Sequence, residues 1–226
     1  MNSNQLCERV AKISGNSDVI LNFSLGKESI ACFYQLKKYF QNVHLVYKYL
    51  IPELGFVKQS IEYFENKFGQ KIIQMPNIGF YNMINGNVFA SPEHLEIIHK
   101  IGLPNHTYKD YEKFVRIDLG VPNAFIAIGV RASDSPTRAM VVYTYGPVSK
   151  RKTFYPIFDW KYDDLRKCFK DNDVKLPIDY EMFGKSFDGL DYRFLKPIKE
   201  RFPEDYAKIK EFFPLIDLEI LRYDKI

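Results

Sequence analysis

Cysteine is scarce in this sequence, and its three copies are far apart. The 226 residues contain Cys7, Cys32 and Cys168, with no CxxC pair among them. Cysteine pairs at short spacing are the usual signature of zinc and iron–sulfur sites, and sparse thiols are typical of a reducing compartment. From this pattern we predict buried structural thiols, no iron–sulfur cluster and a cytoplasmic protein.

Long apolar runs are also missing. No stretch approaches the roughly 20 apolar residues of a membrane helix, and the opening segment MNSNQLCERVAKISGNS lacks the basic-then-apolar order of a signal peptide. We therefore expect no membrane partner. Lysine and arginine number 32 against 28 acidic residues, an excess that suits an anionic nucleotide but is too small to predict a general nucleic-acid surface.

Short apolar segments alternate with helical patterns near the start of the chain. SDVILNFS and the segments 42–50 and 71–76 are predicted strands. Residues 27–40 and 52–69 have the apolar spacing of helices. This alternation predicts an α/β fold with a doubly wound parallel sheet.

The rest of the chain predicts a less regular organisation. Further helices are predicted at 4–13, 92–101, 108–119 and 159–173, the last capped by Asp159, with strands at 123–132 and at VVYTYG (141–146). We predict a nucleotide-binding domain over 1–175, interrupted by an insert at 77–122 that serves as a lid or an acceptor-binding region. Residues 176–226 are predicted to be an irregular, aromatic-rich C-terminal extension that packs on the main domain.

The turn after the first predicted strand has the residue types of a phosphate cradle. It contains Ser24, Leu25, Gly26, Lys27, Glu28 and Ser29. The following helix would direct its positive dipole end at a bound anion. Gly26 would let the backbone approach a phosphate, and the two serines and Lys27 would supply donors and charge.

A second polar segment, GVRASDSPTRA (129–139), follows the predicted strand at 123–132. Its two arginines and its serine can bind phosphate or sulfate oxygens, since guanidinium groups form forked hydrogen bonds with oxyanions. Because ligands of parallel sheets bind beyond the carboxyl ends of the strands, we expect the two segments to converge on one anionic pocket.

Both segments carry a family resemblance. FSLGKES resembles the Ser-x-Gly-Lys-Asp/Glu-Ser turn of the PP-loop, adenine nucleotide alpha hydrolase-like superfamily, and most closely its phosphoadenosine phosphosulfate reductase branch. In the second segment, the residues that match the branch's Gly-x-Arg-x-x-Glu/Asp-Ser-x-x-Arg element are Gly129, Arg131, Asp134, Ser135 and Arg138. A third segment, YPIFDWKYDDL (155–165), is similar to a structural element of the same branch.

The resemblance implies roles for individual residues. It implies an ATP-type adenine nucleotide bound by residues 24–29 and by the five matching residues of the second segment, with Lys27, Arg131 and Arg138 as catalytic cations. Glu28 is either a ligand of Mg²⁺ or a solvated glutamate in the first helical turn. Tyr49, at the end of the second strand, either stacks on the adenine or belongs to the core.

Three functions remain open from the sequence. The first is a transferase that cleaves ATP at the α-phosphate, adenylates a small molecule or nucleic acid and releases pyrophosphate. The second is a non-catalytic nucleotide-binding protein that acts in regulation or DNA transactions through a protein partner or a homo-oligomer. The third is a reductase-like enzyme acting on adenylyl sulfate, which is disfavoured because no Glu-Cys-Gly-x-His segment is present.

Overall fold

Five parallel strands form one sheet. The computed structural model describes residues 1–224. The strands are β1 (Asp18–Asn22), β2 (Asn42–Tyr49), β3 (Ile72–Pro76), β4 (Phe125–Ile128) and β5 (Thr153–Phe154). They lie in the order β3-β2-β1-β4-β5, and β1 runs parallel to both β2 and β4, as β4 does to β5. The predicted α/β fold with a doubly wound sheet is confirmed.

Helices connect these strands and form most of the remaining chain. Their bounds are α1 (Ser3–Ile13), α2 (Lys27–Leu36), α3 (Gly55–Phe68), α4 (Ile78–Asn85), α5 (Pro92–Ile101), α6 (Tyr108–Asp118), α7 (Pro136–Tyr145), α8 (Tyr162–Asp171), α9 (Ile178–Phe183), α10 (Tyr192–Arg201), α11 (Pro203–Phe212) and α12 (Asp217–Asp224). Within residues 1–224, no helix has the length and apolar character needed to cross a membrane.

The chain divides into two compact units that interleave along the sequence. Unit 1 comprises Met1–Tyr47, Lys71–Ile73 and Lys109–Leu176, and unit 2 comprises Lys48–Gln70, Gln74–Tyr108 and Pro177–Ile226. The domain boundary at residue 175 and the role of the insert at 77–122 stay predictions.

The core of unit 1 is built around β1. Val19, Ile20 and Leu21 of this strand are completely buried, as expected for a central strand covered on both faces. Burying side chains of this size stabilises the fold by about 1.5–3 kcal/mol each. Burial of this apolar run therefore holds β1 in the core, and the end of β1 holds the start of the polar turn that follows it.

Two local predictions in unit 1 are wrong. VVYTYG was expected to be a strand, but it forms the second half of α7. The Ser135 hydroxyl accepts a hydrogen bond from the Arg138 amide at 3.2 Å, and Pro136 occupies the first helical turn, so a strong helix start overrides the strand-like composition. Asp159 does not cap α8: its carboxylate accepts the backbone N–H of Ser3 at 3.1 Å and the Ser3 hydroxyl. The N-terminal amide of α8 is instead bound by the Asp164 carboxylate, which accepts the Lys161 N–H at 2.7 Å.

Unit 2 is held together by aromatic rings. Phe56 of α3 makes an edge contact with Phe187, with centroids 5.6 Å apart, and Phe183 contacts Phe194 at 4.9 Å. Such pairs add about 0.5–1.5 kcal/mol beyond the area that they bury. The phenylalanines after residue 176 therefore belong to a packed core.

Candidate functional site

The two polar segments leave the sheet side by side. β1 and β4 are hydrogen-bonded neighbours, and Asn22 at the end of β1 is in register with Ile128 at the end of β4. The strand order runs outward from β1 to β2 and β3 on one side and to β4 and β5 on the other. The gap beyond β1 and β4 is therefore the topological switch point, where α/β proteins place their ligands.

The turn after β1 is tightly hydrogen-bonded. Leu25 is buried and has a φ of 59°, in the left-handed region. The Ser24 hydroxyl accepts the Gly26 amide and lies 3.3 Å from the Ser29 hydroxyl. The Ser29 hydroxyl donates to the Gly26 carbonyl at 2.8 Å. These bonds hold the start of α2, and with it the positive end of the helix dipole, at the switch point.

An ion-pair network joins the two segments. Arg131 Nη2 lies 3.3 Å from Glu28 Oε1 in the first turn of α2 and 2.6 Å from Asp134 Oδ1. Arg138 Nη1 lies 2.7 Å from the other oxygen of Asp134, and Lys27 Nζ lies 3.9 Å from Glu28 Oε1. Three cations and two carboxylates are thus gathered within one small region of unit 1.

The two arginines differ sharply in exposure. The Arg131 side chain is 7% exposed, whereas that of Arg138 is 49% exposed. A guanidinium held by two carboxylates loses little freedom when a ligand binds. Arg131 is therefore a fixed group, whereas Arg138 lies at the surface and is held there by an ion pair with Asp134.

The structure gathers most of the residues that the sequence singled out. Residues 24–29 and the matching residues of the second segment lie in unit 1, connected by the network around Arg131; their nucleotide-binding and catalytic roles stay predictions. Tyr49 belongs to unit 2, where its ring packs on Phe80 with centroids 6.2 Å apart, and its role in stacking on adenine stays a prediction.

Glu28 has a cationic partner that the sequence did not suggest. Its side chain is 18% exposed and is paired with Arg131 and Lys27, so the solvated alternative does not describe it. Across residues 1–224, no group of three or more His, Cys, Asp or Glu side chains could hold a metal ion. Its role as a metal ligand stays a prediction.

Sequence reasoning missed Asn22. Its side-chain oxygen is buried and has no hydrogen-bond partner among the described residues, an uncommon state that calls for an explanation. Asn22 is the last residue of β1 and is separated from the polar turn by Phe23 alone. The signal was present, since a lone asparagine interrupts the apolar run VILNFS.

The thiols are poorly suited to nucleophilic chemistry. Cys7 and Cys32 are completely buried and Cys168 is half-buried. Burial raises the pKa of the Cys7 thiol to about 12 and also raises the pKa of Cys168. Since the thiolate is the nucleophile, a raised pKa suppresses reactivity.

Comparisons with known proteins show similarity in structure and not in sequence. No protein-family model and no curated protein matches this sequence. The phosphoadenylyl-sulfate reductase from Candida auris, solved as a phosphate complex, matches over 84% of this chain and 88% of its own, with 10% identity and a TM-score of 0.52. The U34-tRNA thiolase NcsA from Methanococcus maripaludis matches over 95% of this chain and 79% of its own, with 16% identity and a TM-score of 0.48. An NH3-dependent NAD synthetase from Campylobacter jejuni matches over 97% and 92%, with 12% identity and a TM-score of 0.44.

One expectation about cofactors is corrected by these comparisons. The sequence was taken to exclude an iron–sulfur cluster, but the similar thiolase NcsA was solved with its 4Fe–4S cluster. The exclusion rested on the lack of a CxxC pair. That ground was too weak, because folding can bring ligands together from distant positions of a chain.

The structural match to the reductase from Candida auris, together with the strand order and the switch point between β1 and β4, identifies the architecture. The chain has the same α/β fold as that reductase, with a sheet of parallel strands between helices.

Proposed function

We propose that this protein binds ATP or a related adenine nucleotide at residues 24–29 and 129–138 and cleaves it at the α-phosphate. A nucleophilic oxygen, nitrogen or sulfur of an acceptor forms a bond to the α-phosphorus, and the bond from that phosphorus to the bridging oxygen breaks. Pyrophosphate leaves with the electron pair, and the acceptor loses its proton to solvent. The acceptor is a small molecule or a nucleic acid.

The observation that supports this proposal most directly is the ion pair between Glu28 and Arg131. It links two segments that are 103 residues apart in sequence at the switch point of the sheet. Each segment alone is an ordinary polar connection. Together they provide a helix N-terminus and three cations, the combination that binds a phosphate chain.

The cations have distinct roles in this proposal. Lys27, in the first turn of α2, offsets charge on the leaving pyrophosphate. Arg131 and Arg138 offset the charge that develops at the α-phosphate, the kind of electrostatic stabilisation that commonly makes the largest contribution to rate. Ser24 and Ser29 orient the phosphate chain through their hydroxyl groups.

A turnover assay tests the proposal. The protein is incubated with ATP in magnesium-containing buffer, with and without candidate acceptors, and AMP and pyrophosphate are quantified. We expect the wild type to release AMP and pyrophosphate, and we expect the Lys27→Ala variant to release them at least tenfold more slowly. The reason is that a charge-assisted contact contributes about 1.5–3 kcal/mol. Lys37→Ala is a matched control, since Lys37 is exposed just beyond the other end of α2. Equal release by Lys27→Ala and the wild type would contradict the proposal.

A second candidate is nucleotide binding without turnover. It is favoured by the carboxylates of Glu28 and Asp134, which already neutralise part of the charge that catalysis needs. In that case ATP at about 100 times its dissociation constant would stabilise the protein by about 2.7 kcal/mol, with no pyrophosphate formed. A protein of this kind would act through a partner, which would be another protein or a second copy of this chain. The cytoplasmic location that the sequence suggested remains a prediction.

A third candidate, reduction of adenylyl sulfate, follows from the likeness to the reductase from Candida auris. The raised pKa of Cys168 disfavours it. Adenylyl sulfate reduction that disappears in Cys168→Ser would support it.

A further inference from the structure

Arg131 uses one nitrogen to bind two carboxylates. Its Nη2 donates a hydrogen bond to Glu28 Oε1 at 3.3 Å and lies 2.6 Å from Asp134 Oδ1, with which it forms an ion pair. The backbone N–H of Arg131 also donates to Asp134 Oδ2 at 3.2 Å. The guanidinium plane is therefore fixed from two sides, by an acid of α2 and by an acid of its own loop.

The Nε atom of Arg131 is left without a partner in the described part of the chain, although it is buried. A buried N–H with no acceptor is costly, so such groups normally have a protein, water or ligand partner. The Arg131 side chain is more than nine-tenths buried and cannot easily turn this edge to solvent. An incoming oxyanion would satisfy it.

We propose that Glu28 is a positioning residue, which holds Arg131 through Nη2 so that Arg131 Nε donates to a phosphate oxygen of the bound nucleotide. This inference rests on the proposed function and assigns separate tasks within the same site. Glu28 itself does not touch the nucleotide; Arg131 does.

The length of the Glu28 side chain supports this assignment. The distance of 3.3 Å between Glu28 Oε1 and Arg131 Nη2 is already at the long end for a charged hydrogen bond. An aspartate at position 28 would withdraw its carboxylate by one methylene and lose the contact. A glutamate is thus needed here for reach, and charge alone is not sufficient.

Arg138 provides the internal contrast. It is half-exposed, and its guanidinium is paired with Asp134. Its contribution to binding should therefore be independent of Glu28. If Glu28 acts through Arg131, removing Glu28 should matter only while Arg131 is intact.

Calorimetric titration with a non-hydrolysable ATP analogue tests the inference as a double-mutant cycle. We expect Glu28→Gln to weaken binding about tenfold and Arg131→Lys, which lacks Nε, by tenfold or more. The double variant should bind no more weakly than Arg131→Lys, because both changes act through one contact: Glu28→Gln removes its charge, and Arg131→Lys removes the guanidinium itself. Glu28→Asp should behave as Glu28→Gln, and it replaces that variant if Glu28→Gln does not fold.

Two further variants serve as controls. In an Arg138→Ala background, Glu28→Gln should retain its full tenfold effect, in contrast to the Arg131→Lys background, where the effect should disappear. Glu8→Gln, which breaks an exposed pair with Lys12 in α1, should leave affinity unchanged.

The outcomes separate this inference from the proposed function. If the wild type binds the analogue and Glu28→Gln binds it equally well, the positioning role is wrong and nucleotide binding still stands. The same conclusion follows if the losses of affinity caused by Glu28→Gln and by Arg131→Lys multiply in the double variant. Wild type that does not bind the analogue overturns both.

Discussion

Gly129 lies so close to Ser29 that a Cβ atom on Gly129 would stand 2.9 Å from the Ser29 backbone nitrogen and 3.0 Å from the Glu28 carbonyl carbon. Real Cβ atoms essentially never approach backbone atoms this closely. Gly129, the residue that follows the end of β4, is therefore in direct contact with the first turn of α2. This contact sets the separation between the two segments of the candidate site, and glycine is required for steric reasons.

Gly129→Ala should be destabilising. Backbone atoms must move to admit the methyl group, and overpacking of this kind costs about 1–3 kcal/mol. The check is the midpoint of urea unfolding. Gly189→Ala is the control, because a Cβ there would meet its nearest neighbour at an ordinary 3.5 Å. Equal midpoints for Gly129→Ala and the control would show that the close approach is unimportant.

Asp205→Ala should weaken unit 2 by removing the cap of α3. The Asp205 carboxylate accepts the Gly55 amide at 2.6 Å and the Phe56 amide at 3.1 Å. Loss of both acceptors leaves amides of the first turn unsatisfied, at a cost of about 2 kcal/mol. The fall in melting temperature measures this loss of stability. Glu204→Ala is the control, because Glu204 is the exposed neighbour of Asp205, and it should lower the melting temperature far less.

Asp217 should make stability depend on pH in the acid range. The Lys210 ammonium at 2.5 Å and the Tyr206 hydroxyl at 2.7 Å lower the pKa of Asp217 to about 2. A depressed carboxylate pKa adds stability that is complete above the unfolded value of about 4 and is lost as the pH falls toward 2.

The Asp217 side chain is 36% exposed, so its contribution is screened to about 1 kcal/mol or less. Asp217→Asn should therefore melt a few degrees below the wild type at pH 6, and the difference should shrink as the pH is lowered from 4 to 2. A difference in melting temperature that stays constant over this range would show that the ion pairs of Asp217 are not its cause.

Thiol reactivity should distinguish Cys168 from the other two cysteines. With Ellman's reagent at pH 8, one thiol of the folded protein should react and three should react in denaturant. Cys7 is buried with a pKa of about 12, so roughly one molecule in ten thousand would carry its thiolate even if the reagent could enter. The Cys168→Ser variant should lose the reaction of the folded state. Simultaneous reaction of all three thiols in folded protein would contradict the burial described here.

Local chemistry in the sequence was sufficient for much of this protein. Apolar β-branched residues predicted β1, and helical spacing predicted α2, because each pattern matches the period of one regular structure. The polar turn at 24–29 was recognisable from residue types alone. VVYTYG was misread because its composition suits a strand, while the helix start that decides its structure lies upstream at Ser135 and Pro136.

Only the tertiary structure decided which residues meet. Strand order is a long-range property, and it placed the end of β1 beside the end of β4. That placement paired Glu28 with Arg131 and left Asn22 and Arg131 each with an unpartnered buried atom among the described residues. Side chains that are 103 positions apart carry no local pattern that reveals a shared contact, since distance along the chain does not constrain distance in space.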